Sequence, residues 1–288
     1  MNIRTLWTLC LAILLCGCQT DTTTDNPLLG DSTSSLTISL ASTRTSLGNK
    51  VNNTYPVIWS EGDRIGVNGA VSTEAKINAS DASRASFELD AVVNYPLHIT
   101  YPYTASTSAE SAKVIFAAEQ HYTEGTFSPL SVPMCGYVEN SSEKATLKHL
   151  VGLLKLSIVG NKEGIVLDKV VITSTNGAKL SGEFTVNCSA GTMTACENAS
   201  NTITYTLPEN FTLSTNKESQ LFISIPAGDT SNCSFAFIEP SGDKMVCSWN
   251  STEVKAGIDR EFETITYKRG FSGALSPMQV EEDTFTIY

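Results

Sequence analysis

Histidine is scarce in this 288-residue chain, which holds three, and His98, His121 and His149 lie far apart in sequence. Acid–base or metal chemistry needs such groups to converge, so each reads as a strand or loop residue with a structural hydrogen bond. The sequence has no Gly-x-Ser-x-Gly elbow, no His-Glu-x-x-His helix and no glycine loop of the phosphate-cradling kind, which removes the common hydrolase, zinc-protease and nucleotide-binding signatures. No Cys-x-x-Cys pair occurs, so zinc and dithiol redox sites are not expected either. Lysine and arginine number 19 against 30 acidic residues and nowhere cluster. A nucleic-acid binder carries a concentrated basic face, and nucleic acid is excluded as a partner. Adjacent acids such as Glu281-Glu282-Asp283 point to opposite faces of an extended chain, which argues for a solvated edge over a cation site. The expectation is a protein that is not an enzyme and uses no cofactor or metal.

A long apolar run is also missing. A spanning helix needs about 20 predominantly apolar residues, whereas the stretch from Leu9 to Leu15 gives way to Gln19, Thr20 and Asp21. With Arg4 ahead of it and small residues behind, residues 1–17 read as a secretory signal. Within it, Leu15-Cys16-Gly17-Cys18 resembles a bacterial lipoprotein cleavage box, which implies that Cys18 is acylated and becomes the new N-terminus. Several acyl chains hold a protein stably at a membrane where one does so marginally. Removing residues 1–17 takes away one arginine and no acid, moving the formal charge from −11 to −12, in keeping with a soluble surface protein.

Residues 18–35, rich in Thr, Ser and Asp, cannot bury enough surface to order themselves and read as a flexible tether. From Leu36 onward, short segments of period two alternate with Gly, Pro, Asn and Asp. The segments "LTISLAS" (36–42), "TITYTL" (202–207), "QLFISIPAG" (220–228), "CSFAFIEPSGD" (233–243) and "EFETITYK" (261–268) carry this pattern, which is that of antiparallel strands joined by turns. Trp59, Ile65 and Val67 flank a Glu61-Gly62-Asp63 turn and read as a hairpin with buried anchors. "ATLKHLVGLLKLSIVG" (145–160) fits both periods, with a strand favoured over its second half after one helical turn. It marks the division of two β-sandwich domains, residues 36–146 and 147–288. Past Cys18 there are five cysteines. Cys188 with Cys196, and Cys233 with Cys247, are near enough in sequence for hairpins to pair them in an exported chain; five buried small hydrophobes are the alternative.

Taken in order, Thr43-Arg44-Thr45, Trp59-x-x-Gly62-Asp63-x-Ile65-Gly66-Val67, Tyr101-Pro102-Tyr103, Gln120, His149 and Lys255-Ala256-Gly257 resemble the fimbrillin family of lipoprotein precursors of type V pili and related surface proteins. The resemblance covers most of the mature chain through short motifs. It implies two transthyretin-like antiparallel β-sandwich domains in tandem, and a role in cell adhesion at the outer membrane, the cell surface or the fimbrium. It also implies assembly by strand addition. A protease cut between Arg44 and Thr45 would remove the strand "LTISLAS" with Leu36, Ile38 and Leu40, and a strand from another pilus subunit, or from a second copy, would fill the groove. The final residues, 271–288, ending in "DTFTIY", offer a donor with Phe285 and Ile287 on one face; a last strand paired within its own domain is the alternative. The rival reading is a monomeric surface lipoprotein that binds a host protein or glycan through an aromatic platform of Tyr95, Tyr101 and Tyr103.

Overall fold

The computed structural model describes residues 36–41, 46–47, 54–105, 107–108, 111–230, 232–250, 253–278 and 283–286. Among them there is no helix. The strands run β1 (Leu36–Ala41), β2 (Ser46–Leu47), β3 (Thr54–Ile58), β4 (Gly66–Val67), β5 (Ala70–Val71), β6 (Lys76–Asn78), β7 (Asp81–Leu89), β8 (Leu97–Tyr101), β9 (Ala112–Phe116), β10 (Glu119–His121), β11 (Met134–Val138) and β12 (Lys148–His149). They continue with β13 (Val151–Gly160), β14 (Ile165–Ser174), β15 (Gly182–Asn187), β16 (Thr192–Ala195), β17 (Thr202–Leu213), β18 (Ser219–Pro226), β19 (Cys233–Ile238), β20 (Lys244–Trp249), β21 (Ile258–Glu261), β22 (Ile265–Tyr267), β23 (Ser272–Ala274) and β24 (Asp283–Thr286).

Five sheets result, ordered β1-β7-β6, β12-β11-β8-β4-β5, β16-β15-β9, β10-β17-β14-β19-β20-β23 and β18-β13-β21-β24-β3-β2, with β22 also on β13. Most pairings are antiparallel. Parallel ones join β10 to β17, β13 to β21 and β22, β20 to β23, and β3 to β24.

Three apolar cores lie between these sheets. One uses side chains from Ile38 to Leu147, among them Trp59, Phe87, Ile99, Tyr101 and Met134. Another uses Leu154 to Leu275, with Phe235, Phe237, Trp249 and Tyr267. The third draws on both stretches, with Val57, Val114, Phe116, Cys135, Leu153, Phe184, Cys188 and Phe222.

β13 is the wall between the last two. Successive side chains of a strand point to opposite faces, so Leu154, Leu156 and Ile158 enter one core while Val151 and Leu153 enter the other. Burial on both faces produces a nearly continuous apolar run, and that explains why this stretch fits a helical period as well. The helical turn expected before it does not form: Lys148 and His149 pair with β11 as β12. Gly152 is required by close approach, since a Cβ there would stand 2.4 Å from Val254 Cγ1 and 2.9 Å from the Lys255 carbonyl.

Two other segments differ from the sequence expectation. The Glu61-Gly62-Asp63 turn does not close a hairpin, because β3 pairs with β2 and β24 while β4 pairs with β5 and β8. The turn carries the chain from one sheet to another. "EFETITYK" is not one strand: it holds the last residue of β21 and all of β22, both parallel to β13. Lys155 faces Glu261 and Ile158 faces Ile265, so two residues of β13 oppose three here. The surplus residue breaks the ladder as a bulge does, and the freed Glu263 N–H donates to the Ser276 carbonyl at 2.9 Å.

Candidate functional site

The feature most open to exchange is β1. It lies at the edge of its sheet and pairs only with β7, antiparallel, from Leu36 opposite Leu89 to Ala41 opposite Arg84. On β7 the residues Ala85, Phe87 and Leu89 are buried and alternate with half-buried ones. Ile38 sits opposite Phe87, is 4% exposed and belongs to the same core. Thr37, one residue earlier, is exposed. Beside β1 runs an open cleft of about 770 Å³ lined by Thr37, Ile38, Lys76, Arg84, Tyr95 and Lys144, among others. An unpaired row of backbone N–H and C=O groups templates the addition of a strand, and loss of β1 would leave such a row along β7. Arg44 and Thr45 follow β1 closely in sequence but lie outside the described residues, as do Cys18 and Ile287.

The other end of the chain is placed within a sheet. β24 lies between β21 and β3, with Thr284 opposite Ile258 on one side and Thr54 on the other, and Phe285 opposite Tyr55. The Thr54 and Thr284 hydroxyls are 3.0 Å apart. β24 is thus paired within its own chain, over Asp283 and Thr284 to β21 and over Thr284, Phe285 and Thr286 to β3.

The motif residues among the described ones serve structure. Asp63 Oδ2 accepts from the Ser60 N–H at 2.8 Å, and the Tyr101 hydroxyl donates to Asp63 Oδ1 at 2.9 Å. Burial pushes the Asp63 carboxyl above its ordinary pKa, opposed by the Ser60 and Tyr101 donors. The Trp59 ring stands edge-on to Phe87 and Tyr101, with centroids 4.6 and 5.5 Å away. Gln120, 1% exposed, donates through Nε2 to the Ser224 carbonyl at 2.8 Å and accepts from the Ser224 N–H at 3.1 Å, joining β10 to β18 as a ladder rung would. Gly257 donates its N–H to Val151 at 2.9 Å. An aromatic platform is not assembled: Tyr101 is 1% exposed, Tyr95 is half-buried against the same core and only Tyr103 is exposed.

The histidines stay on separate strands, His98 on β8, His121 on β10 and His149 on β12. His149 is buried, which lowers its pKa to about 3. Among the described residues no group of three His, Cys, Asp or Glu side chains is arranged to hold a metal ion, and no helix is long and apolar enough to cross a membrane.

All five cysteines among the described residues are free thiols. Cys188 and Cys196 are not brought together, since they flank opposite ends of the β15–β16 hairpin, whose rungs run from Asn187–Thr192 to Phe184–Ala195. Cys233 and Cys247 lie on adjacent strands but diagonally, Cys233 opposite Trp249 and Cys247 opposite Phe235. Sequence reasoning missed a different juxtaposition, Cys188 with Cys135, which nothing in their spacing could reveal.

With this geometry the chain can be set beside solved structures. A "putative cell adhesion protein" from Bacteroides ovatus superposes with a TM-score of 0.50 at 13% identity, over 88% of this chain and 98% of that one. The fold is shared. A second protein so described, from Bacteroides uniformis, reaches 0.49 at 14% identity over 88% and 100%. The tip fimbrial protein Mfa3 from Porphyromonas gingivalis, with a C-terminal truncation, reaches 0.39 at 9% identity over 87% and 99%. No protein-family model matches the chain, and no curated protein matches it.

Proposed function

We propose that this chain is a fimbrillin-type surface lipoprotein that assembles with other pilus subunits, or with itself, by strand addition in the service of adhesion. One observation carries the reading: β1 is an edge strand held by a single neighbour, and it seats Ile38 in a core that its removal would open. On this reading residues 1–17 are removed, Cys18 is acylated and carries the precursor to the outer membrane, and a cut between Arg44 and Thr45 releases β1. A donor strand then restores the ladder and its buried side chains. Residues 271–288, with Phe285 and Ile287, supply that donor once β24 leaves its place between β21 and β3.

The test is the N-terminal residue and intact mass of the protein sheared from native cells. A chain beginning at Thr45 without lipid supports a polymerising subunit. A chain beginning at acylated Cys18 supports an anchor or a monomeric surface lipoprotein, and an unmodified start before Cys18 removes the lipoprotein reading. A second reading, ligand binding by a monomer, is favoured by the open cleft beside β1. Binding of a glycan or a host protein to a chain that retains β1 would decide for it.

A further inference from the structure

The core shared between the two halves of the chain contains two thiols from distant parts of the sequence. Cys135 lies on β11 and is 0% exposed, and Cys188 follows β15 and is 1% exposed. Both belong to one apolar cluster. On β11, Cys135 stands opposite Thr100 of β8, and the next rung pairs Gly136 with Ile99. The Cys188 thiol approaches that next rung, with Sγ 4.0 Å from the Ile99 carbonyl and a contact to the Gly136 backbone. Cys135, one residue before Gly136 on β11, is buried in the same core as the Cys188 thiol and is its main electrostatic neighbour. The remaining three cysteines have other surroundings: Cys196 lies 3.7 Å from the Thr185 hydroxyl, Cys233 donates to the Thr230 carbonyl at 3.1 Å, and Cys247 lies in the core formed by Leu154 to Leu275.

We propose that Cys135 and Cys188 are a disulfide pair, a covalent staple between the β12-β11-β8-β4-β5 sheet and the β15–β16 hairpin. The proposal rests on the reading that the chain is exported, because structural disulfides persist in oxidising compartments. The oxidant is a protein or small-molecule disulfide. A thiolate of one cysteine attacks it to form a mixed disulfide, and the second cysteine displaces the leaving thiol. Two S–H bonds are lost and one S–S bond forms, while the oxidant takes up two electrons and two protons as a pair of thiols.

Timing follows from burial. Contact with Cys135, and then burial, hold the Cys188 thiol far above its ordinary pKa. The thiolate is the reactive form, so in the packed core exchange is slow. The bond forms before that core closes, and once formed it resists reduction in the native state. A staple here leaves β1 and β24 free, and it keeps the two halves joined while either end strand is exchanged.

The test is to unfold the reduced full chain, refold it in a mixture of oxidised and reduced glutathione, alkylate it under denaturing conditions, and map its peptides without reduction. The expected result is one cross-link, Cys135 to Cys188, with Cys196, Cys233 and Cys247 alkylated. Alkylation of both Cys135 and Cys188, or a bond from Cys188 to Cys196, would overturn the proposal. As a second readout, reduction after unfolding should lower the Tm of the refolded wild type by roughly 5–10 °C. It should not alter that of Cys135→Ser or Cys188→Ser, and a wild-type Tm indifferent to reduction counts against the staple. The same map on protein from native cell envelopes separates the two readings, since a bond that forms in the refolded chain but is missing from cells faults export and leaves the pairing intact.

Discussion

At the scale of single residues, Trp59, Asp63 and Tyr101 fix how the chain leaves one sheet and enters another. Trp59 is 3% exposed and packs between Phe87 and Tyr101, while Asp63 holds the turn and receives the Tyr101 hydroxyl. Trp59→Ala should cost about 3–5 kcal/mol, the usual range for an emptied aromatic site. Tyr101→Phe leaves a buried carboxylate short of a donor and should cost about 1–3 kcal/mol; denaturant midpoints check both. His149 gives a dependence on pH. Its folded pKa, about 3, lies below the unfolded value of 6.5, so the folded state binds fewer protons between the two. Stability is complete above pH 6.5 and falls as pH drops through that window, with a limiting slope for one proton of about 1.4 kcal/mol per pH unit. His149→Gln should flatten the stability profile over that window in urea titrations at successive pH values; a slope equal to wild type would contradict the assignment. The sequence showed that these residues recur in a recognisable order. It did not show their partners, because Asp63 with Tyr101, or Gln120 with Ser224, meet only through sheet pairing at long range.

Elements differ in how plainly the sequence announced them. β1, β17, β18 and the β19–β20 hairpin, whose Gly242 N–H donates to the Glu239 carbonyl at 2.9 Å, follow from period-two alternation and turn residues. β13 did not, since a strand buried on both faces loses its alternation, and the break between β21 and β22 is set by a partner strand that no local pattern records. β1 permits a direct trial at this scale. A chain made to begin at Thr45 exposes the edge of β7 and the side chains of Ala85, Phe87 and Leu89. It should self-associate or unfold at a lower temperature than the chain that keeps β1. A peptide spanning residues 34–42, added in trans, should restore the Tm and the monomeric state. If the shortened chain is as stable and monomeric as the longer one, β1 is not the plug of a groove. Within the intact chain, Ile38→Ala should cost about 2–4 kcal/mol.

For the whole molecule, the question is whether the halves on either side of residue 147 are separate in energy as well as in sequence. Two of the three cores draw on one stretch each, which suits a lobe before that point and a lobe after it. The third core and several ladders run across it. β9 pairs with β15, β10 with β17, and β3 joins β24 in the sheet built on β13. Cutting at 147 would strip β9, β10 and β3 of those partners and expose Val57, Val114, Phe116, Leu153, Phe184 and Phe222 together. Burial of apolar surface contributes about 25 cal/mol per Å², so exposing those side chains would destabilise both halves. Calorimetry of the full chain should therefore give one cooperative transition, with calorimetric and van't Hoff enthalpies in agreement. Residues 36–146 and 147–288 produced separately should be unfolded or aggregated, and should regain sheet structure only when mixed. Two resolved transitions, or a half that folds alone, would mean that the shared core is a docking surface between independent domains. A single transition has a consequence for assembly: removal of one end strand would be felt through the common core by the other, so release of β1 and departure of β24 would be coupled.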